Sequence, residues 1–262
     1  MTTVKLQDVD VMIEQKKILH GISFEVGAGE FIGLIGPNGS GKSTLLKTIA
    51  SLQPIASGKI HINGKEVHDY KPKQLAKVIS YVPQDTTLDF DFTVEEIVKM
   101  GRHVHGSRFS LNDTEGVVQI EQAMRYTGII QLRNRSMLSL SGGQRQLVFI
   151  AKALAQETPI ILLDEPISAL DIRFQLQVLV MLKALSKSGK TVVVVLHDLN
   201  LASRFCTKLL LLNEGRTLGF GTTANVLRAD YVNSTYKVNA IVRKDDLTEA
   251  VSVTALSPDD KQ

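Results

Sequence analysis

At 262 residues, with 44% hydrophobic and 22% charged residues and no low-complexity tract, the chain is long enough to bury a core and too apolar to stay disordered. Its 30 basic and 27 acidic residues leave a net charge of +3, too small and too dispersed to mark a nucleic-acid surface, and no nucleic acid is expected as a partner. Cys206, the single cysteine, excludes an intrachain disulfide and a thiolate metal cluster, which fits a folded domain in a reducing compartment.

The first residues, Met-Thr-Thr-Val-Lys, lack the basic-then-apolar layout of a signal peptide. The longest aliphatic run, 192–196, is far too short to cross a bilayer, so any membrane role is expected to run through a partner. In chain order, short β-type runs at 4–9, 22–26, 31–35, 59–62 and 79–82 alternate with glycine-bearing turns and predict a sheet-rich first third. From about 85 to 156 the spacing turns helical, with Val117, Ile120 and Met124 expected on one face and Leu147, Ile150, Ala151 and Leu154 on another. That stretch reads as a helical insertion. Apolar runs at 159–163 and 191–196 flank a helix expected from Ile172 to Ser188 and stopped by Gly189, which implies a parallel βαβ unit with buried strands. Residues 209–212, Glu214-Gly215 and the run to Gly221 read as a hairpin, and residues 222–262 as a mixed helix-and-strand extension of unassigned role. No compositional linker divides the chain, so residues 1–262 are expected to form one two-lobed domain.

Gly36-Pro37-Asn38-Gly39-Ser40-Gly41-Lys42-Ser43 matches G-x-x-x-x-G-K-[ST], between an apolar strand and a helical run that opens at Thr44. Glycines let backbone N–H groups curl around phosphate oxygens, and the helix N-terminus adds positive potential. Lys42 supplies charge to the outer phosphates, and the Ser43 hydroxyl can reach a bound Mg²⁺. Further along, Asp164 and Glu165 end the aliphatic run Ile160–Leu163. The C-terminal edge of a parallel sheet is its active edge, so Asp164 is expected near the metal. Strand alternation sends Glu165 elsewhere, to a spot suited to polarising an attacking water.

Leu140-Ser141-Gly142-Gly143-Gln144 precedes an amphipathic helix and forms a second potential phosphate reader. Two readers for one phosphate chain suggest a head-to-tail dimer, each chain's second reader covering the partner's nucleotide. Here the chain resembles the ATP-binding subunits of ABC transporters over nearly its whole length, with LSGGQ as their signature motif. The resemblance implies an α/β P-loop NTPase of ABC type, a parallel-core sheet with an antiparallel β subdomain and a helical subdomain. It implies that Gln84, in Tyr81-Val82-Pro83-Gln84, senses Mg²⁺ and the membrane partner, that Ser168-Ala169-Leu170-Asp171 crosses the dimer interface, and that His197 contacts the γ-phosphate. It also implies ATP and Mg²⁺ as cofactors, a homodimer, a separate integral membrane permease, an extracytoplasmic substrate-binding protein met indirectly, and a peripheral place at the cytoplasmic face of the membrane.

Two positions depart from the family's pattern. Ile13 falls where an aromatic residue usually stacks on adenine, and Lys152 where Arg is common, which keeps charge but loses a hydrogen-bonding fork. The stretch from Thr93 to Val98, with Gly101-Arg102, resembles the importers of iron-siderophores, haem and vitamin B12, with an exporter motor as the alternative and a soluble non-transport ABC ATPase a more distant one. His103 and His105, without a third ligand, read as surface residues.

Overall fold

The computed structural model describes residues 2–88, 90–105 and 114–259, with only the backbone at 2, 114 and 115. The part of the expected helical insertion between 106 and 113 lies outside the described residues. Two long antiparallel strands open the chain, β1 (Thr2–Ile13) and β2 (Lys16–Gly27), each well beyond the 4–9 and 22–26 runs. The added stretches carry buried apolar residues of their own, Val11 and Leu19, which face each other across the two strands. Asp10 ties three strands at one corner: its carboxylate accepts from the Gly21 amide at 2.7 Å and the Ser57 hydroxyl at 2.8 Å, and pairs with Lys17 at 2.8 Å. These contacts hold its carboxyl down at about 2. Next come β3 (Phe31–Ile35), α1 (Lys42–Ile49), β4 (Ser57–Ile62), the two-residue β5 (Lys65–Glu66), the single-turn α2 (Pro72–Leu75) and β6 (Ile79–Val82).

The lobe that follows holds α3 (Val94–Met100), α4 (Thr114–Tyr126) and α5 (Gly142–Ala155). Thr93 opens α3 with a capping box: its Oγ1 accepts from the Glu96 amide at 3.3 Å, and Glu96 accepts from the Thr93 amide at 2.8 Å. On α4, Ile120 and Met124 are buried, but Val117 is 53% exposed. The i, i+3, i+7 spacing groups all three, but the buried stripe runs through Gly116, Ile120, Ala123 and Met124 and leaves Val117 at its edge. On α5, Leu147, Ile150 and Ala151 are buried and Leu154 packs partly buried against the same core.

β7 (Ile160–Leu163), α6 (Ile172–Lys187) and β8 (Thr191–Val195) form the expected parallel βαβ unit, and all nine strand residues are buried. After α7 (Leu199–Phe205), β9 (Lys208–Asn213) and β10 (Arg216–Thr222) make the expected hairpin. The extension consists of two short helices, α8 (Thr223–Val226) and α9 (Ala229–Tyr236), then an antiparallel hairpin of β11 (Val238–Lys244) and β12 (Val251–Pro258).

The central six-stranded sheet runs β10-β9-β3-β8-β7-β6, parallel except for β10 at one edge. A separate antiparallel sheet runs β2-β1-β4-β5. Residues alternate across β3: Phe31 and Ile35 join one apolar core with α5, α6 and α7, whereas Ile32 and Leu34 join a second core with α1 and the antiparallel sheet. The central sheet is therefore covered on both faces, and its C-terminal edge is the surface left for chemistry. Among the described residues no helix is long and apolar enough to cross a membrane.

Candidate active site

Four parallel strands deliver the motif residues to one edge. β3 leads into the glycine loop 36–41, β6 into Gln84, β7 into Asp164 and Glu165, and β8 into His197. They surround a cavity of about 680 Å³ lined by Ile18, Asn38, Gly39, Gly41, Lys42, Ser43, Thr44, Gln84, Glu165 and His197.

The glycine loop is pinned from behind. Gly36 has φ +145°, and a Cβ there would stand 2.1 Å from the Leu212 carbonyl oxygen of β9. The Gly215 amide donates to the Ser40 carbonyl at 3.1 Å, so the β9–β10 turn also holds the loop. Pro37 contributes its carbonyl: Lys42 is buried, and its ammonium donates to the carbonyls of Gly36 at 2.8 Å and Pro37 at 2.9 Å. Burial lowers the Lys42 pKa, opposed by the charges of Glu165 and Asp164. The Ser40 hydroxyl is buried with no hydrogen-bond partner.

Asp164 is buried between two hydroxyl donors, Ser43 at 2.9 Å and Tyr81 at 3.3 Å. Burial raises its pKa, the two hydroxyls oppose that, and the neighbouring Glu165 adds to it. Burial likewise raises the Tyr81 phenol, reinforced by Asp164. Ser43 and Asp164 are hard oxygen donors, and the Gln84 carboxamide supplies a third of that type. Mg²⁺ takes such ligands, one or two from protein and the rest from phosphate and water, so the donor set fits the ion. Among the described residues no cluster of three His, Cys, Asp or Glu side chains offers a second metal site, and His105 Nε2 sits 2.8 Å from the Gln156 carbonyl.

Glu165 leaves the strand geometry of β7, with φ +49°, an uncommon conformation for a side-chain-bearing residue. The two neighbouring acids have different side-chain partners, Asp164 meeting Ser43 and Tyr81, Glu165 meeting Gln84 and His197. Gln84 Nε2 donates to Glu165 Oε2 at 2.8 Å, and His197 Nε2 lies 2.6 Å from Glu165 Oε1. Each carboxylate oxygen thus has one partner, and residues from β6, β7 and β8 converge on one acid. Such an acid, held in place and facing a cavity, is equipped to orient a water or accept a proton.

Ser141, Gly142, Gly143, Gln144 and Asp171 are not brought to this cavity. Within the chain, Ser141 caps α5, its Oγ accepting from the Gln144 amide at 3.2 Å while Gln144 Oε1 accepts from the Ser141 amide at 3.1 Å. Asp171 caps α6, accepting from the Phe174 amide at 3.1 Å. The two segments meet each other: a Cβ on Gly143 would stand 3.0 Å from the Ala169 carbonyl oxygen.

Sequence reasoning missed Ile18 and Tyr81. Ile18 lines the cavity from the start of β2, whereas Ile13 ends β1 and is 37% exposed. Ile18 carries no motif, while Tyr81 had a signal in its place one residue before the end of a strand leading to Gln84. Lys152 is half-buried with its ammonium 5.5 Å from the Phe149 ring centroid, and burial lowers its pKa. Gly101 and Arg102 serve the lobe's packing. A Cβ on Gly101 would stand 2.2 Å from the Lys152 carbonyl oxygen, and Arg102 caps the end of α5 through the Ala155 carbonyl at 3.0 Å while pairing with Glu157 at 2.5 Å.

Against known proteins, the family model described as ABC transporter matches residues 19–168. The chain is 38% identical over 255 residues to the cobalamin import ATP-binding protein BtuD of Halobacterium salinarum, covering 97% of this chain but only 64% of that protein's length. It is 36% identical over 250 residues to the iron(3+)-hydroxamate import ATP-binding protein FhuC of Bacillus subtilis, covering 95% and 93% of the two chains. A solved structure described as an inward-facing metal-chelate type ABC transporter superposes with a TM-score of 0.83 at 30% identity, over 98% of each chain. With the family model spanning more than half the chain and the P-loop, Gln84, the signature segment, Asp164-Glu165 and His197 standing in their expected order, the chain belongs to the ABC transporter family, as its ATP-binding cassette.

Proposed function

We propose that this chain binds and hydrolyses ATP as the motor subunit of an ABC importer, energising a separate membrane permease that carries a metal-chelate substrate of the iron-siderophore, haem or cobalamin type. The carrying observation is the convergence of Gln84 and His197 on the two oxygens of Glu165, beside the phosphate loop. Glu165 orients the attacking water and takes its proton. His197 and Gln84 keep the acid from rotating, and His197 is placed to meet the γ-phosphate. Gly36, Pro37, Asn38, Gly39, Ser40 and Gly41 wrap the phosphates with their backbone, Thr44 adds the helix N-terminus, and Lys42 exchanges its two carbonyl partners for phosphate oxygens. Ser43, Asp164 and Gln84 would hold Mg²⁺, which when bound neutralises charge on the nucleotide's phosphates.

The separation of Ser141, Gly142, Gly143, Gln144 and Asp171 from this chain's own cavity supports a head-to-tail homodimer in which they complete the partner's site. The import reading is supported by the full-length match to a metal-chelate type transporter and by relatives named for cobalamin and iron(3+)-hydroxamate import. An extracytoplasmic binding protein would hand substrate to the permease, with this chain peripheral at the cytoplasmic face.

The test is phosphate release by the full chain and its Glu165→Gln variant. The variant is expected to bind ATP as the wild type does and to lose turnover by about a hundredfold or more. Release at the wild-type rate would overturn the assignment. Co-purification of a many-helix permease that takes up a metal chelate separates import from export.

A further inference from the structure

Residues 222–262 lie outside every motif, yet two of their contacts reach the elements that carry the site. The first is to α7, which starts just after His197. Asp198 caps this helix, its Oδ1 accepting from the amides of Asn200 at 2.8 Å and Leu201 at 2.9 Å. A seven-residue helix has too few internal hydrogen bonds to stand alone, so its setting comes from its packing. Of the described elements, β12 is the one against which α7 packs most extensively.

The contact is specific. Asn200 Nδ2 donates to the Val253 carbonyl at 3.2 Å, and Asn200 Oδ1 accepts from the Val253 amide at 2.8 Å. One carboxamide thus meets both backbone groups of a single strand residue, as a neighbouring strand would. Val253 stands opposite Val242 in the hairpin. In an antiparallel ladder a residue bonds its partner with both groups or with neither, so Val253 turns its pair outward to α7.

The second contact is at Tyr236, the last residue of α9. Its hydroxyl is buried beside the Gly36 backbone amide, short of full hydrogen-bond geometry, and burial pushes its pKa up to about 12. Gly36 opens the phosphate loop. The extension therefore leans on the loop with one residue and on the helix behind His197 with another.

We infer that Asn200 is a positioning residue: by latching α7 to the C-terminal hairpin it fixes Asp198, and through it the setting in which His197 meets Glu165. The inference rests on the roles of Glu165 and His197 proposed above. Asn200 itself is exposed and does not line the cavity, so its removal leaves the nucleotide contacts in place.

The experiment compares steady-state ATP hydrolysis and amide hydrogen exchange of the full chain with those of Asn200→Ala and Asn200→Asp. Two lost hydrogen bonds expressed in the transition state correspond to about a tenfold fall in kcat for Asn200→Ala. KM for ATP should stay within about twofold, since ground-state binding is untouched. Amides of residues 199–205 should exchange faster. Asn200→Asp keeps the acceptor for the Val253 amide and should fall between the two. A wild-type kcat in Asn200→Ala overturns the inference even if exchange quickens, and unchanged exchange shows that no latch operates. If Glu165→Gln turns over like the wild type, the reading of the acid fails instead, and the exchange comparison then decides the latch alone.

Discussion

Two glycines of the same loop should respond very differently to a single methyl group. At Gly36, φ of +145° lies where L side chains are strained, and the added Cβ would sit 2.1 Å from the Leu212 carbonyl oxygen and 2.8 Å from the Ser40 hydroxyl. The hydroxyl can rotate away, but the carbonyl belongs to the buried strand β9 and must retreat by about 1 Å in a close-packed interior. Backbone strain of about 1–3 kcal/mol and overpacking of similar size make Gly36→Ala costly, about 3 kcal/mol or more in total. At Gly39, φ is +78° and a Cβ meets nothing within 4 Å. Gly39→Ala should therefore cost only the left-handed term, about 1–2 kcal/mol. Urea unfolding of the nucleotide-free protein measures both, provided the slope against denaturant stays constant across the set. If the two variants lie within about 0.5 kcal/mol of each other, the contact with β9 does not hold the loop, and the reasoning fails.

Acid should open the corner where β1, β2 and β4 meet. The Asp10 carboxyl is depressed in the folded state, so its contribution is complete above its ordinary value of 3.8 and is lost as pH falls from there toward about 2. Asp10→Asn should flatten that part of the stability curve, read by thermal unfolding against pH. Truncating Arg102→Ala removes the cap on the Ala155 carbonyl and the pair with Glu157, a loss of about 1–2 kcal/mol measured by urea unfolding. An unchanged midpoint would show that the end of α5 is held by packing alone.

The phosphate loop, the Asp164-Glu165 pair and the signature segment were legible in the sequence because each is a contiguous run whose residue types have one economical explanation. The buried parallel strands were legible for a related reason: unbroken aliphatic runs bounded by turn residues leave few alternatives. What the sequence hid is pairing at a distance. Nothing in Gln84 or His197 alone announces that both hold Glu165, since they arrive from strands on either side of β7. The latch from Asn200 to Val253 was hidden more deeply, because its partner is backbone and leaves no mark on residue type. Val117 shows the converse, a helical periodicity that promises burial at a position just beside the stripe its helix buries.

β7 makes its parallel ladder with β6 and β8 through Ile160 to Leu163, a run of near-equivalent aliphatic side chains. Apolar content alone distinguishes one alignment of such a strand from the next only weakly. Yet a slip of one residue would exchange the acid beside Ser43 for its neighbour and turn every side chain to the opposite face. The alignment must then be set beyond the strand's ends: by Thr158, whose hydroxyl reaches Ser80 of β6 at 2.9 Å, and by the Asp164 amide on the Val82 carbonyl at 2.9 Å. Seen this way, Thr158 acts as an index pin for the acids that begin six residues ahead of it, and the separate roles proposed for Asp164 and Glu165 are a matter of strand registration before they are one of charge.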